Sequence, residues 1–195
     1  MSHIEIRLAE TADIPALRAM QERSLRVLGQ AYYTATQIER FIARFGTMED
    51  HLVTDRTYLI AEMDGEMLGS AGWTTRMPGY ARNSPDAHLY ADRGRVTVRS
   101  VFVEPLVARQ GIGKRLMLAV ENAMRGEGFD TAELGATDSG LPFYQAIGYH
   151  CLRVLQIDDK EIKEFPDISA RVADKSPGDK VKITVQRGEE TVELE

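Results

Sequence analysis

The chain has 195 residues, which suits one domain with a full core, or one domain plus a small appendage. Hydrophobic residues make up 43% and charged residues 28%, an ordinary globular balance, and a formal net charge of -6 argues against a nucleic-acid binder that relies on bulk positive field. The single cysteine, Cys151, allows no intrachain disulfide, so a reducing, cytoplasmic setting is expected. No run of about 18 apolar residues occurs, and the polar start MSHIEIRLAE lacks the apolar stretch of a signal peptide.

HIEIRLA alternates and reads as a first strand. In DIPALRAMQERSLRVLG, helical spacing aligns Ile14, Leu17, Met20 (or Gln21), Ser24 (or Leu25) and Leu28, and Gly29 can stop the helix. TATQIERFIARFG opens with Thr34 and Gln37 at capping-box spacing, puts Ile38, Phe41, Ile42 and Phe45 on one face, and ends at Gly46. TYLIAEMDGEMLGSAGWTT is two apolar runs about an Asp64-Gly65 turn, a strong hairpin signal. Residues 77–94 carry Pro, Gly, Asn, Ser and Asp without periodicity and read as a loop.

RVTVRSVFV is rich in β-branched residues and reads as a buried strand. The helix after it runs from Gly111 to about Arg125, with Ile112, Leu116, Ala119, Val120 and Ala123 as its apolar stripe. TAELGA is a short strand, GLPFYQAI a short helix with Pro142 in its first turn, and YHCLRVLQI another strand. The order β-α-α-β-β-β-α-β-α-β predicts an α/β fold, with helices flanking a mixed sheet.

The strand–loop–helix passage around VARQGIGKRL has the makings of an anion site. The first N–H groups of a helix have no intrahelical partner and carry the positive end of its dipole. Gly111 and Gly113 bare the backbone, while Arg109 and Lys114 add charge, so a phosphate or diphosphate is the expected guest. A Walker loop fits poorly, since Arg115 follows Lys114 where Ser or Thr should stand. A dinucleotide fingerprint also fits poorly, since Leu116 takes the place of its third glycine. Glycines that merely let helix and strand pack closely are a competing reading.

With these motifs, the segment from Ile4 to about Leu155 resembles the GNAT superfamily of N-acetyltransferases. ARQGIG fills the diphosphate signature [Q/R]-x-x-G-x-[G/A], with Ala108 at the first place instead of Arg or Gln. SGLPFYQAIGY is similar to the second cofactor motif, with Ser139 in place of its usual Asn. The resemblance implies a mixed central sheet flanked by helices, and acetyl transfer from acetyl-CoA to an amine. It assigns cofactor binding to Val101, Phe102 and Val103 through the backbone, to Ala108, Arg109, Gln110, Gly111, Ile112, Gly113 and Lys114 around the diphosphate, and to Ser139. Backbone N–H groups near Val101–Val103 are natural donors to a developing oxyanion. Tyr144, the tyrosine of the Phe-Tyr pair, is the expected acid toward the departing thiolate; a core aromatic is the competing reading, and Phe143 is the expected packing member. Glu104, at the end of the strand, is the candidate base, with Asp138 and a water wire as alternatives.

Tyr32, Tyr33 and Trp73 either line the acceptor pocket or belong to the core. His3, His51, His88 and His150 lack a catalytic context, and no metal is expected. The expected partners are an amine of a small molecule or peptide and, as an option, a second copy of the chain; neither nucleic acid nor membrane is expected. A non-catalytic CoA-binding or protein-interaction module stays open as the alternative.

The tail after residue 157 departs from this pattern. It reads strand, turn, helix about Ile168 and Val172, turn at Pro177-Gly178-Asp179, and hairpin, with Val181, Ile183 and Val185 alternating. IDDKEIKEF and SPGDKVKITVQRG resemble the second half of bacterial protease-type PDZ domains, without the first half that would carry a peptide groove. The expected organisation is an acetyltransferase-like domain over 1–157 and an atypical strand–helix–hairpin extension over 158–195, packed on or completing the main sheet.

Overall fold

The computed structural model describes residues 3–76, 96–150, 152–162, 180–187 and 190–194. The expected loop at 77–94, with His88, Cys151, and the tail helix and turn at 168–179 lie outside the described residues.

A five-stranded sheet runs in the spatial order β1 (Glu5–Leu8), β2 (Tyr58–Met63), β3 (Glu66–Thr74), β4 (Val96–Val103), β5 (Ala132–Glu133). The first four strands are antiparallel neighbours, and β4 and β5 are parallel, so the sheet is mixed. Asp64 and Gly65 both adopt positive φ (52° and 81°), as the two-residue turn between β2 and β3 demands.

Helices cover both faces. On one side lie α1 (Ile14–Leu28) and α3 (His51–Thr54), and Leu17 and Leu52 meet Tyr58 and Ile60 of β2 in one buried cluster. On the other lies α4 (Ile112–Gly126), whose Ile112, Leu116, Met117, Val120 and Met124 pack on Ala61, Leu68, Ala71, Trp73, Val96 and Val98. Leu17, Leu52 and Leu116 are fully buried, each worth on the order of 2 kcal/mol of apolar transfer. The stripe on α4 is rotated from expectation: Met117 and Met124 take the buried places given to Ala119 and Ala123. Period alone does not choose between adjacent apolar residues, and the larger side chains gain more from burial.

The helix α2 (Ala35–Phe45) starts at the expected capping box and stops at Gly46, φ 67°. Only Ile38 on it is buried; Phe41 and Phe45 lie exposed against each other, ring centroids 5.4 Å apart. Its apolar face is thus broader than the surface available to cover it.

The strand β4 carries an irregularity that its sequence conceals. Arg99 pairs with Gly72 and Phe102 with Ser70, so Ser100 and Val101 together oppose Ala71. This is a β-bulge, with Ser100 at φ 50°. One extra residue switches the alternation. Val96 and Val98 face α4, and after the bulge so do Val101 and Val103.

A second sheet runs β7 (Lys160–Glu161), β6 (Leu152–Ile157), β8 (Ile183–Arg187), β9 (Glu190–Leu194), all antiparallel. The last strand of the acetyltransferase-like segment therefore shares its ladder with the tail. Asp158 at the turn accepts the Lys182 N–H at 3.0 Å and donates its own N–H to the Lys182 carbonyl at 2.8 Å. Among the described residues, no helix is long and apolar enough to cross a membrane.

Candidate active site

The parallel pairing of β4 with β5 stops after Val96–Ala132 and Thr97–Glu133. From Val98 onward, β4 has a ladder on its β3 side alone among the described residues. The splayed edge leads through the Pro105–Val107 turn into the glycine loop and the start of α4.

That helix start is open. Gly111 is its N-cap at φ 84°, a left-handed conformation, and no side chain caps the helix. The first intrahelical bond runs from the Arg115 N–H to the Gly111 carbonyl at 3.0 Å, so the amides of Ile112, Gly113 and Lys114 precede the ladder. Arg109 also adopts positive φ, 65°, and Arg109, Gln110, Gly111 and Lys114 are exposed. Ala108 is half-buried in extended backbone, with its N–H on the Pro105 carbonyl at 3.3 Å.

The two glycines of the motif differ in their surroundings. A Cβ on Gly111 would meet nothing within 4 Å. A Cβ on Gly113 would stand 3.2 Å from the Phe143 ring and 3.6 Å from Val103. Gly111 leaves room for a guest; Gly113 lets α4 approach the Phe143 ring and β4. Ile112 is buried and can offer only its backbone.

Pro142 opens α5 (Leu141–Ala146), which carries Phe143 and Tyr144. Both rings pack against the core beneath α4, centroids 5.1 Å apart. The Tyr144 hydroxyl has no hydrogen-bond partner among the described residues, and burial pushes it up to about 12. Tyr149, 5.9 Å away, differs: its hydroxyl donates to Glu121 Oε1 at 3.2 Å, and burial with that carboxylate raises it well above the usual phenol range. Of the two, Tyr144 alone has a proton uncommitted.

Glu104 follows β4 directly. Its N–H donates to the Leu68 carbonyl at 2.8 Å, and Arg23 of α1 donates to its Oε2 at 2.7 Å. Ser139 Oγ lies 3.0 Å from Thr137 Oγ1, so its hydroxyl is already engaged locally. Asp138 donates its N–H to the Tyr33 hydroxyl at 2.8 Å, tying the start of α2 to the loop before α5. Burial raises the Tyr33 phenol above its ordinary value. Trp73 is a core residue, edge-on to Phe129 at 5.8 Å, while Tyr32 is exposed. Among the described residues no cluster of three or more His, Cys, Asp or Glu could hold a metal.

One constellation had no place in the sequence reading. Beneath the bulge, Tyr58 donates to the Ser100 carbonyl at 2.6 Å, and Gln21 Nε2 reaches the Tyr58 oxygen at 2.7 Å. The available signal was a glutamine at a core position of α1, and a break in the alternation of VTVRSVFV.

Residues 16–149 match the Acetyltransferase (GNAT) family, and the chain belongs to that family of acetyltransferases. No curated sequence matches the chain. Its fold is similar to a GNAT family acetyltransferase from Brucella melitensis solved with acetyl-CoA (24% identity, TM-score 0.52, covering 76% of this chain and 84% of that one). It is also similar to the PaiA N-acetyltransferase of Thermoplasma acidophilum solved with coenzyme A (18%, 0.58, 82% and 95%). A third likeness is to a GCN5-related N-acetyltransferase from Ralstonia eutropha (20%, 0.56, 84% and 99%).

Proposed function

We propose that the chain transfers the acetyl group of acetyl-CoA to a primary amine of a small molecule or peptide, by direct attack in a ternary complex. The observation that carries this reading is the uncapped start of α4. A left-handed Gly111 with open space beside it leads into three amides without helical partners, next to the splayed edge of β4. That set of donors suits a diphosphate at one end and an amide-bearing arm along the strand.

In this reading the amides of Ile112, Gly113 and Lys114 hold the diphosphate, with Arg109 and Lys114 adding charge and Gln110 flanking it. Ala108 supplies no charge, which leaves that task to Arg109. The backbone of Val101, Phe102 and Val103 orients the pantetheine arm and offers N–H groups to the carbonyl oxygen as it gains negative charge. Ser139 sits where the second cofactor motif contributes a polar group, but its bond to Thr137 argues for a secondary part. Acetyl-CoA supplies an acyl group activated as a thioester.

Tyr144 serves the leaving sulfur. At about 12 its hydroxyl keeps its proton at neutral pH. An ordinary thiol lies near 8.5, so complete transfer to the thiolate runs uphill, and Tyr144 acts mainly as a hydrogen-bond donor to the developing charge. Glu104 is the base in this reading. Among the described residues Arg23 engages Oε2 only, so Oε1 is the oxygen that takes the amine's proton. The half-buried ion pair also holds the carboxylate at the end of β4.

Thiol release on mixing the protein with acetyl-CoA and an amine panel tests the reaction. The expected result is release that depends on one class of amine; CoA binding without turnover on any amine would favour a binding module. Tyr144→Phe is expected to lower turnover by about 100-fold with CoA affinity unchanged. The pH dependence has a definite sign. Because burial raises Tyr144 above 10, its proton stays in place through the neutral range, and its contribution is lost only as pH climbs through about 12. A loss of turnover on the alkaline side between pH 7 and 9 that disappears in Tyr144→Phe would contradict this.

The tail, in the same reading, is an extension that supplies β6 with partner strands. Removing residues 159–195 strips β8 from β6 and is expected to lower the melting temperature sharply. An unchanged transition would refute the tail's structural role.

A further inference from the structure

The bulge in β4 is gripped from two strands away. Tyr58 sits on β2 directly opposite Gly72 of β3, and Gly72 lies opposite Arg99 of β4. The Tyr58 ring crosses β3 over Gly72, where a Cβ would collide with ring carbon Cδ2. Its hydroxyl thereby reaches the Ser100 carbonyl at 2.6 Å. Tyr58 is fully buried, as are Gln21 and Ser70 around its hydroxyl.

Proton counting gives the cluster a direction. A carbonyl can only accept, so the single Tyr58 proton goes to Ser100. The Tyr58 oxygen then accepts from Gln21 Nε2 at 2.7 Å. The Ser70 hydroxyl, 3.0 Å away, becomes the donor of its own contact. Gln21 Nε2 also lies 3.3 Å from Ser70 Oγ, while Gln21 Oε1 is the sole buried side-chain polar atom without a partner among the described residues. The fold leaves that oxygen unsatisfied, at a cost in solvation, to aim the amide protons at Tyr58 and Ser70. Burial holds the Tyr58 phenol well above its ordinary range, so the donor proton is retained.

We propose that Tyr58 is a positioning residue of the transfer site: its hydroxyl, oriented by Gln21 and Ser70, clamps the Ser100 carbonyl and so holds the bulge that aims the Val101–Val103 edge. This rests on the acetyl-transfer reading above for its functional consequence, though not for its structural one. Ser100 is a non-glycine residue at φ 50°, a conformation that persists only when its surroundings enforce it. The clamp is that enforcement. Without it, the extra residue can migrate along β4, and the parity that sends Val101 and Val103 toward α4 is no longer pinned.

Tyr58→Phe keeps the ring and removes the grip. In the ligand-free full chain, amide hydrogen exchange at residues 99–104 is expected to quicken by about tenfold, the loss of roughly one net hydrogen bond, while α4 exchanges as before. Measured below the melting temperature of the variant, kcat is expected to fall by about tenfold with the amine KM unchanged. A merely structural role would lower the melting temperature and leave the local exchange pattern and kcat as in the wild type, and that outcome overturns the proposal. Should Tyr58→Phe fail to fold, Gln21→Leu, which leaves the phenol undirected, replaces it; about threefold faster exchange confined to residues 99–104 supports the clamp, and wild-type exchange there refutes it. If the wild-type chain shows no turnover at all, the acetyl-transfer reading fails while the exchange comparison still judges the clamp.

Discussion

Two helices of this chain begin in opposite ways. At α2, Thr34 Oγ1 accepts the Gln37 N–H at 3.3 Å and Gln37 Oε1 accepts the Thr34 N–H at 2.8 Å, so side chains serve the first turn. At α4 no side chain caps the start, a left-handed glycine takes the cap position, and cationic residues surround it. Both helices are amphipathic and both follow a turn, so the difference lies in where the first donors of each helix go. A capped start spends its donors within the chain. An uncapped start leaves them without side-chain partners and relies on packing, through Leu116 and Val120, to hold the helix in place.

The sharpest way to break the contrast is Gly111→Asp, which sets a carboxylate among the free donors. CoA affinity, read by calorimetry, is expected to fall by about 100-fold or more. A negative charge some 4 Å from a diphosphate costs on the order of 4 kcal/mol at an effective dielectric of about 20. The positive φ adds strain to any residue with a Cβ. If affinity is unchanged, the α4 start is not the anion site. A smaller effect is expected from Lys114→Ala: about fivefold weaker CoA binding at low salt, with a flatter dependence on ionic strength than the wild type shows. An identical salt dependence would remove Lys114 from the diphosphate. The smallest change is expected at the other helix. Thr34→Ala removes a cap worth about 1 kcal/mol and should lower the melting temperature by about 2–4 °C. CoA affinity should stay as it was; a drop there would mean that the start of α2 affects the proposed cofactor site.

Gly111 and Gly113 show how far such a site can be read from one dimension. The motif announced two bare backbone positions, and their surroundings differ: space beside Gly111 is open, while Gly113 is packed against Phe143 and Val103. Nothing local distinguishes them, because the space beside Gly113 is filled by Phe143 from a helix some thirty positions later. Tyr58 teaches the same lesson from the other side. Within TYLIAEM it is indistinguishable from a core aromatic, and its partner Ser100 lies on a strand that β3 separates from it. Phe41 and Phe45 fall on the apolar face of α2 as expected, yet stay exposed, since a periodic pattern specifies which residues share a face and not whether a neighbour covers it.

What the sequence determined by itself is everything set by residues a few positions apart: the Thr34–Gln37 box, the Asp64-Gly65 turn, the strand–loop–helix at Gly111, and the order of elements up to Ile157, apart from the one-turn helix His51–Thr54, which the pattern did not announce. Tertiary structure alone decided the parity switch in β4, the burial of Met117 and Met124, the ion pair that holds Glu104, and the grip of Tyr58 on Ser100. The division has one cause. Turn and cap energies come from hydrogen bonds closed within a single turn of chain, whereas bulges, buried polar bonds and packed glycines depend on which strand or helix lies across the sheet.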